Sequence, residues 1–413
     1  MKKALVITVG TTPEPIIESI KKNDVDIVYL VYGRPLSPDQ DPNPFDITNK
    51  AKSMAKEIGR YATTKEISNP EDIDSCILVF RELVKEVSES DEVIVHFTGG
   101  TKPMAAAAFY VFLTEMIPSR LIFEYVGGKV RDEYGRVIEM EMKKSYKTAS
   151  EELSRKVISY MEECQFYLAK KVSESLPDRV YGFLKKATEA FWLWDSFEYE
   201  KAARILNEIG KTAEILEGRD FGLIPENVVK LRNVGNVIVD ALKKMRKCQN
   251  KEIVDVEGCY LLSLDAIANA ERRLKTHNYI EAVLRAYRAV EVATQVKLLD
   301  NKINPWNVEW SKIVNYRDLL DLLGYKDDES APKQLTLWNG LCVLDFIESR
   351  DIFDKIKDDL QLISQLRNNS KLEHGYSSVG RENAEDAVNK AFRIVKTIIG
   401  VENFPEINNL RVF

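Results

Sequence analysis

Arg367 and His374 are the residues whose types and spacing most directly suggest chemistry. They lie in the stretch SQLRNNSKLEHG (364–375), and His374 is one of three histidines among 413 residues. A guanidinium neutralises the charge of a phosphate, whereas an imidazole titrates near neutral pH and can transfer protons. The pair therefore suggests phosphodiester chemistry. The alternative is a buried structural network, in which carboxylates such as Glu291 or Asp345 would neutralise both side chains.

An amphipathic helix is predicted to position this pair. The apolar residues before the motif follow the three-and-four spacing of one helical face: Phe353, Ile356, Leu360 and Ile363. The same spacing continues to Arg367, Ser370 and His374, and Gly375 would then cap the helix. Seven residues return to within about 20° of the same face, about 10.5 Å along the axis. We therefore expect both side chains to lean toward one small group between them, whereas a helix that ended before His374 would separate them.

Two glycine- and threonine-rich turns near the N-terminus indicate a second site. VGTTPEP (9–15) follows the first predicted strand and TGGTKP (98–103) follows the fourth. In a doubly wound sheet, ligands bind where the strand order reverses, which is between these two strands. Each turn opens a helix, whose free N–H groups attract anions, so a phosphate-bearing ligand is favoured. The predicted contacts are Gly10, Thr11, Thr12, Thr98, Gly99, Gly100, Thr101 and Lys102.

Both turns also have a simpler interpretation, as tight connections between strand and helix. Neither matches the GxGxxG fingerprint or the GxxxxGK[ST] loop, which disfavours an ordinary dinucleotide enzyme or NTPase. A loop with four prolines, YGRPLSPDQDPNPF (32–45), follows the second predicted strand and would lie over the same crevice. Its Tyr32 and Arg34 could belong to a ligand lid or to a surface excursion.

The order of predicted elements gives an α/β N-terminal part and an all-α remainder. Apolar runs alternate with helical patterns in the first third, which predicts a Rossmann-like fold that ends in a hairpin turning at 133–135. Strand signals then disappear and helical periodicity continues to the end, for example at 185–210 and 278–299. We predict domains at 1–148, 149–255 and 256–413, the middle one being a helical connecting region.

Composition narrows the protein class. A chain of 413 residues with 45% hydrophobic and 30% charged residues predicts an ordinary globular protein of several domains. The net charge of −6 excludes a globally basic nucleic-acid coat, although a local basic site remains compatible with it. The five cysteines have no CxxC spacing, so we expect no disulfide framework, no bound metal and a reducing compartment. No apolar run reaches the length of a membrane span and MKKALVITVG is too short for a signal peptide, so a cytoplasmic location is expected.

The two halves resemble known families. The N-terminal part is similar to a CRISPR-associated Rossmann fold (CARF) sensor domain, through VGTTPEPI (9–16) and FTGGTKPMAAA (97–107). The C-terminal helices resemble a HEPN nuclease domain, whose signature is an arginine, usually a polar residue, four to six more residues and a histidine. Here that signature is Arg367, Asn368 and His374, at the long end of the family's spacing. YIEAVLRAYRAVE (279–291) is similar to an earlier HEPN helix.

The resemblance implies a specific function. CARF–HEPN proteins are ancillary ribonucleases of type III CRISPR antiviral systems, so a homodimer would bind cyclic oligoadenylate, an allosteric activator, across its paired CARF crevices. Single-stranded RNA would be cut without metal or other cofactor, by attack of a ribose 2′-OH on the adjacent phosphate. Arg367 would stabilise the phosphorane, His374 would be the general acid or base, and Asn368 would position Arg367 or the RNA. The eight residues of the two turns would bind the activator.

Three other functions remain open at this point. The chain could be a non-catalytic sensor whose degenerate HEPN domain binds a partner protein. It could instead be a ring nuclease that degrades the cyclic oligoadenylate in the CARF crevice. A nucleotide-binding metabolic enzyme with a helical lid is the third, and the missing dinucleotide motifs argue against it.

Overall fold

The computed structural model describes residues 2–35, 43–115, 120–131, 137–145, 147–217, 221–250, 252, 254–401 and 404–413. The chain divides into two compact units. The first unit comprises Met1–Val157 and Leu168–Lys185, and the second comprises Ile158–Tyr167 and Lys186–Phe413. The proposed three-domain boundaries at 148 and 255 stay predictions.

A six-stranded sheet forms the centre of the first unit. Its strands are β1 (Lys3–Val9), β2 (Ile27–Gly33), β3 (Tyr61–Ile67), β4 (Glu92–His96), β5 (Arg120–Arg131) and β6 (Val137–Ser145). The order is β3-β2-β1-β4-β5-β6, in which the first five strands are parallel and β6 runs antiparallel to β5. The reversal of strand order between β1 and β4 confirms the predicted switch point. The predicted hairpin is also present, although its turn at 133–135 lies outside the described residues.

Helices cover both faces of this sheet. They are α1 (Pro13–Lys22), α2 (Pro44–Glu57), α3 (Ile73–Val87) and α4 (Lys102–Glu115). Alternate residues of β1 face opposite layers, since Val6 packs in the cluster of Phe80 and Phe112, whereas Ile7 packs in the cluster of Ile16. Burial on both faces explains why the parallel strands read as continuous apolar runs. The predicted Rossmann-like fold is confirmed.

The described residues after β6 form helices and the turns and loops that connect them. The helices are α5 (Lys147–Glu162), α6 (Phe166–Ser173), α7 (Asp178–Asp195), α8 (Tyr199–Leu216), α9 (Ile224–Gln249), α10 (Leu261–Lys275), α11 (Tyr279–Asp300), α12 (Tyr316–Leu323), α13 (Leu337–Glu348), α14 (Ile352–Asn368), α15 (Arg381–Ile399) and α16 (Ile407–Leu410), with a 3₁₀ turn at Trp310–Lys312. The helical segment predicted at 278–299 is confirmed by α11. The segment 185–210 is divided between two helices, because Phe197 takes a left-handed backbone conformation with φ of 62°.

Helix α14 carries the predicted residues Arg367 and Asn368, and α11 packs against it. Helix α11 packs against α10, α13, α14 and α15, which makes it the centre of the C-terminal bundle. On α14, Ile356, Leu360 and Ile363 are buried, as their spacing predicts. The helix ends at Asn368, however, and Asn369 is its C-cap. The predicted continuation of this helix to His374 is therefore wrong.

Candidate functional site

Arg367 lies near the end of α14 among three partners. Its guanidinium carbon is 4.6 Å from the ring centroid of Tyr287, a residue of α11. Nη1 donates to Asn368 Oδ1 at 3.0 Å, and Nη2 lies 3.2 Å from Glu373 Oε2. The side chain is 28% exposed. Stacking on the ring and the carboxylate contact orient an arginine for phosphate binding.

His374 lies in the turn after α14 and points into solvent. Its side chain is 82% exposed, and Nε2 lies 3.9 Å from the same Glu373 Oε2 that Arg367 contacts. The expected inward position of His374 is wrong, because the helix ends six residues earlier. The turn nevertheless brings the imidazole and the guanidinium to one carboxylate, so the two side chains do not diverge.

Gly375 is required for a reason other than a helix cap. A Cβ atom at this position would lie 2.0 Å from Asn369 O and 2.2 Å from Asn369 C. The close approach is held by Gly375 N donating to Ser370 O at 3.1 Å and by Ser377 N donating to Asn369 O at 2.9 Å. The predicted role of Gly375 as C-cap of α14 is wrong, since its absent side chain instead lets the loop close on the end of the helix.

The carboxylates expected in a structural network have other partners. Glu291 accepts a hydrogen bond from Arg288 at 3.0 Å, and Asp345 accepts from Ile352 N. Arg367 instead contacts Glu373, which the sequence analysis did not single out. The sequence feature that could have identified Glu373 is its position immediately before His374.

Tyr287 is a second residue that sequence reasoning missed. Burial raises the pKa of its phenol, the carboxylates of Glu291 and Glu373 raise that pKa further, and Arg367 opposes them. The phenol is therefore neutral at physiological pH and presents an intact aromatic face to the guanidinium. The sequence feature that could have identified Tyr287 is the segment 279–291, which resembles a HEPN helix, but no role was assigned to this tyrosine.

The two N-terminal turns meet backbone to backbone. A Cβ on Gly10 would lie 2.7 Å from Gly100 N, and a Cβ on Gly99 would lie 2.2 Å from Thr8 O. Gly100 has φ of +80°, which also favours glycine. Glycine is thus needed at these positions for the ends of β1 and β4 to approach. The structure places both predicted turns at one crevice.

The hydroxyl and ammonium groups of the two turns have different surroundings. Thr98 Oγ1 accepts from Val126 N at 2.8 Å, and the Thr101 hydroxyl donates to Pro70 O. Both threonines therefore have structural roles. Thr11, Thr12 and Lys102 are exposed, and their side chains have no hydrogen-bond partner within the part of the chain that the structure describes. These three are the groups most available to a ligand.

A small cavity lies beside the crevice. Its volume is about 120 Å³, and its wall includes Gly10, Thr11, Gly100, Thr101 and Arg34. Arg34 donates to Glu66 through Nε at 2.9 Å and Nη2 at 2.6 Å. The part of the proline-rich loop at 36–42 lies outside the described residues, so the lid interpretation stays a prediction.

A buried polar network lies beneath the crevice and was not predicted. His96 Nδ1 is 3.2 Å from Glu124 Oε2, which also accepts from the Ser19 hydroxyl and, at 3.1 Å, from Asn23 Nδ2. Burial alone would raise the pKa of Glu124, but the hydrogen bonds from His96, Ser19 and Asn23 outweigh it and lower that pKa. The network ties α1 to β4 and β5.

Two absences apply to the described residues alone. They contain no group of three or more histidine, cysteine, aspartate or glutamate side chains arranged to hold a metal ion. Across the same ranges, no helix combines the length and apolar character needed to cross a membrane.

One family model matches part of the helical half. Residues 250–399 match the family model of the Csm6 HEPN domain. The structure of Enterococcus italicus Csm6 bound to cyclic hexa-2′-fluoro-hexa-dAMP aligns with 100% of this chain and 98% of that chain, at 12% identity and a TM-score of 0.48. Can2 from Sulfobacillus thermosulfidooxidans, in complex with cyclic tetra-adenylate, aligns with 48% of this chain and 68% of that chain, at 14% identity and a TM-score of 0.25. No curated protein matches the sequence.

Arg367, Asn368 and His374 all fall within the matched residues, as does Tyr287. The matched segment is preceded in the chain by the Rossmann-like sheet and its two glycine turns. The segment that matches the Csm6 HEPN domain therefore contains the candidate site of the helical half, and it follows a Rossmann-like fold in the same chain.

Proposed function

We propose that the protein is a metal-independent endoribonuclease of type III CRISPR antiviral defence, activated by cyclic oligoadenylate. The observation that carries this proposal is the meeting of Arg367 and His374 at one carboxylate, on an accessible surface inside the HEPN match. A buried or divergent pair would not be able to act on an RNA strand. The exposure of His374 instead allows contact with a substrate.

The reaction is an internal transfer at phosphorus. The ribose 2′-OH attacks the adjacent phosphate, the bond from phosphorus to the 5′ oxygen breaks, and the products are a 2′,3′-cyclic phosphate and a 5′-hydroxyl. Arg367 stabilises the negative charge that accumulates on the phosphorane oxygens. His374 acts as general acid or base, giving a proton to the leaving oxygen or taking one from the 2′-OH. The need for a 2′-OH restricts the substrate to RNA.

The neighbours of the pair position it. Asn368 Oδ1 accepts from Arg367 Nη1, which fixes the plane of the guanidinium. Glu373 Oε2 lies 3.2 Å from Arg367 Nη2 and 3.9 Å from His374 Nε2, so its carboxylate pairs with the guanidinium and lies close to the imidazole. An RNA phosphate would replace this carboxylate at Arg367.

The activator site is proposed at the crevice between β1 and β4. The close backbone contact between Gly10 and Gly99 leaves the N-termini of α1 and α4 side by side, where phosphates are attracted. Thr11, Thr12 and Lys102 offer donors at its surface, and Gly100 permits close approach of a ligand. Thr98 and Thr101 support the shape of the turn in addition to any ligand contact.

A homodimer is part of the proposal. A cyclic oligoadenylate with a two-fold axis would make the same contacts with two identical crevices. In the HEPN half, Leu372 is 59% exposed and Tyr376 is 93% exposed, on either side of His374. Exposed apolar side chains beside the motif are consistent with a second copy packing there. The groove would then contain two copies of Arg367 and His374.

The proposal is tested by an RNA-cleavage assay in EDTA with a panel of cyclic oligoadenylates. We expect cutting of single-stranded RNA that is faster with one ring size, and products that end in cyclic phosphate. Binding of the ring without any RNA cutting would favour the non-catalytic sensor. Conversion of the ring to linear products, with RNA left intact, would favour the ring nuclease.

A further inference from the structure

Arg367 has an anionic partner from its own chain. Its Nη2 lies 3.2 Å from Glu373 Oε2, its Nη1 donates to Asn368 Oδ1 at 3.0 Å, and its guanidinium carbon lies 4.6 Å from the centre of the Tyr287 ring. Of these three contacts, Glu373 alone carries a negative charge, since burial raises the pKa of the Tyr287 phenol. Carboxylates and phosphates use the same guanidinium donors. Glu373 therefore takes up a donor that a bound phosphate would use.

The two neutral contacts are held more firmly than the carboxylate. Tyr287 belongs to α11, which packs against four other helices, and Asn368 is the last residue of α14. Glu373 lies in the turn beyond α14, and the residues on either side of it are exposed. Its backbone N donates to Ser370 O at 3.2 Å, which fixes the main chain. The carboxylate can therefore leave Arg367 by rotation of the Glu373 side chain, without opening the turn.

A carboxylate near both an arginine and a histidine can act in two ways with opposite effects. If it orients His374, its loss lowers kcat, whereas if it competes with the substrate at Arg367, its loss lowers KM. The distance of 3.2 Å to Arg367 is that of a direct ion pair, but the distance of 3.9 Å to His374 Nε2 is too long for a hydrogen bond. His374 is also 82% exposed, so the carboxylate does not hold the imidazole in place. The geometry therefore favours competition.

We propose that Glu373 is a built-in competitor for phosphate at Arg367 and lowers the affinity of the site for every phosphate ligand. The guanidinium stays on the Tyr287 ring while the Glu373 side chain rotates away and an RNA phosphate replaces it. An isolated phosphate merely exchanges one anion for another, so only a strand that makes further contacts is retained. This inference rests on the proposed nuclease function and adds a determinant of RNA affinity to it.

The first test measures steady-state RNA cleavage by the full-length protein with its activator. Glu373→Gln removes the charge and keeps the size of the side chain. We expect KM to fall about three- to tenfold with a smaller change in kcat, as for the loss of one partly exposed ion pair. An unchanged or higher KM would overturn the proposal. A fall in kcat at constant KM would also overturn it, because Glu373 would then position His374.

Glu291→Gln is the matched control for the general effect of removing a negative charge. The Glu291 carboxylate also raises the pKa of Tyr287, so it lies in the same neighbourhood, but it accepts a hydrogen bond from Arg288 at 3.0 Å. Its loss should leave KM almost unchanged. An equal fall of KM in Glu291→Gln and Glu373→Gln would overturn the proposal, since the effect would not depend on contact with Arg367.

Binding without cleavage gives an independent readout. Single-stranded DNA carries the phosphates and lacks the 2′-OH, so it is bound without being cut. With saturating activator, the anisotropy of labelled DNA should show binding about three- to tenfold tighter in Glu373→Gln than in wild type. In an Arg367→Ala background, Glu373→Gln should give no gain, because competition requires the guanidinium. A gain that persists without Arg367 would show loss of general repulsion and overturn the proposal.

Failure of this inference and failure of the nuclease proposal give different results. RNA cutting with the same KM in wild type and Glu373→Gln would overturn the competitor and leave the nuclease intact. Absence of RNA cutting by the activated wild type would overturn the nuclease. In that case, a gain in DNA affinity that depends on Arg367 would still support the competitor, and equal affinity in wild type and Glu373→Gln would overturn it.

Discussion

The two candidate sites of this chain are built in different ways. In the crevice of the first unit, backbone atoms of Gly10, Gly99 and Gly100 approach each other at the ends of two neighbouring strands. In the second unit, Arg367 lies near the end of a helix and His374 in the turn after it, and both side chains lie close to Glu373. The first arrangement follows from sheet topology, whereas the second depends on how one short loop closes.

This difference has a practical meaning for mutagenesis. Sites that depend on backbone approach are sensitive to any added side chain, even a methyl group. Sites that depend on side chains are sensitive to the loss of a functional group and to a shift of the loop that carries it. The four substitutions below use this contrast, from the largest expected effect to the smallest.

The largest effect is expected for His374→Ala. Removal of a general acid or base lowers cleavage by about 10²–10⁴-fold. RNA cleavage in the presence of activator measures the loss, and titration with labelled cyclic oligoadenylate should show unchanged affinity. His277→Ala is the matched control, since His277 is exposed in the same unit and contacts Tyr279. Full RNA cleavage by His374→Ala would contradict the assigned role.

Gly99→Ala should act on the other site. The added methyl would lie 2.2 Å from Thr8 O, so the turn must shift, and we expect activator affinity to fall by at least about 100-fold, equivalent to about 2.8 kcal/mol. Isothermal titration with the activating ring measures this. Gly182→Ala is the control, because a Cβ there meets nothing within 4 Å. Unchanged affinity in Gly99→Ala would argue against this crevice as the activator site.

Gly375→Ala tests whether the helical-unit site also depends on backbone approach. The methyl would collide with Asn369 O, so the turn that carries His374 must move, and we expect roughly a 10- to 100-fold fall in kcat. The neighbouring Gly380→Ala should have little effect, as a Cβ at 380 has open space. Equal activity of the two variants would show that the closed turn is not needed for cutting.

The smallest effect is expected for Glu124→Gln, which changes the buried network. Because the folded-state pKa of Glu124 is lowered from 4.5, its ionised form stabilises the fold above that pH, and this stabilisation is lost as the pH falls through the folded pKa. We expect the first thermal transition to fall by about 2–8 °C at pH 7, for a loss of about 1–2 kcal/mol. The difference from wild type should shrink below pH 4.5. A difference that is constant with pH would show that the charge is not the stabilising feature.

Much of the first unit could be predicted from sequence. Continuous apolar runs identified β1 and β4, and the rule that ligands bind where strand order reverses placed the turns 9–15 and 98–103 together. The pairing of His96 with Glu124 could not be predicted, since it depends on the register of β4 against β5. That register is set by the whole sheet and not by either strand alone.

The second unit shows where periodicity fails. The spacing of Ile356, Leu360 and Ile363 correctly predicted the buried face of α14. The prediction that the helix continues to His374 was wrong, because the helix ends at Asn368. The chain instead leaves the helix at Asn369, and backbone hydrogen bonds from Gly375 N to Ser370 O and from Ser377 N to Asn369 O close a turn there. The contact of Glu373 with both functional residues depends on the resulting turn, so helical spacing could not reveal it.

The hydrogen-bonded turn that closes at Gly375 has a consequence for comparing this chain with other HEPN-like sequences. The position of the imidazole is set by the turn before Gly375, which two backbone hydrogen bonds hold closed: Gly375 N donates to Ser370 O and Ser377 N donates to Asn369 O. The number of positions separating the arginine from the histidine then becomes a poor guide to whether a domain can cut RNA. A better diagnostic is the histidine–glycine dipeptide, because the absent side chain of the glycine lets the loop close on the backbone carbonyl six residues earlier, at the end of the helix.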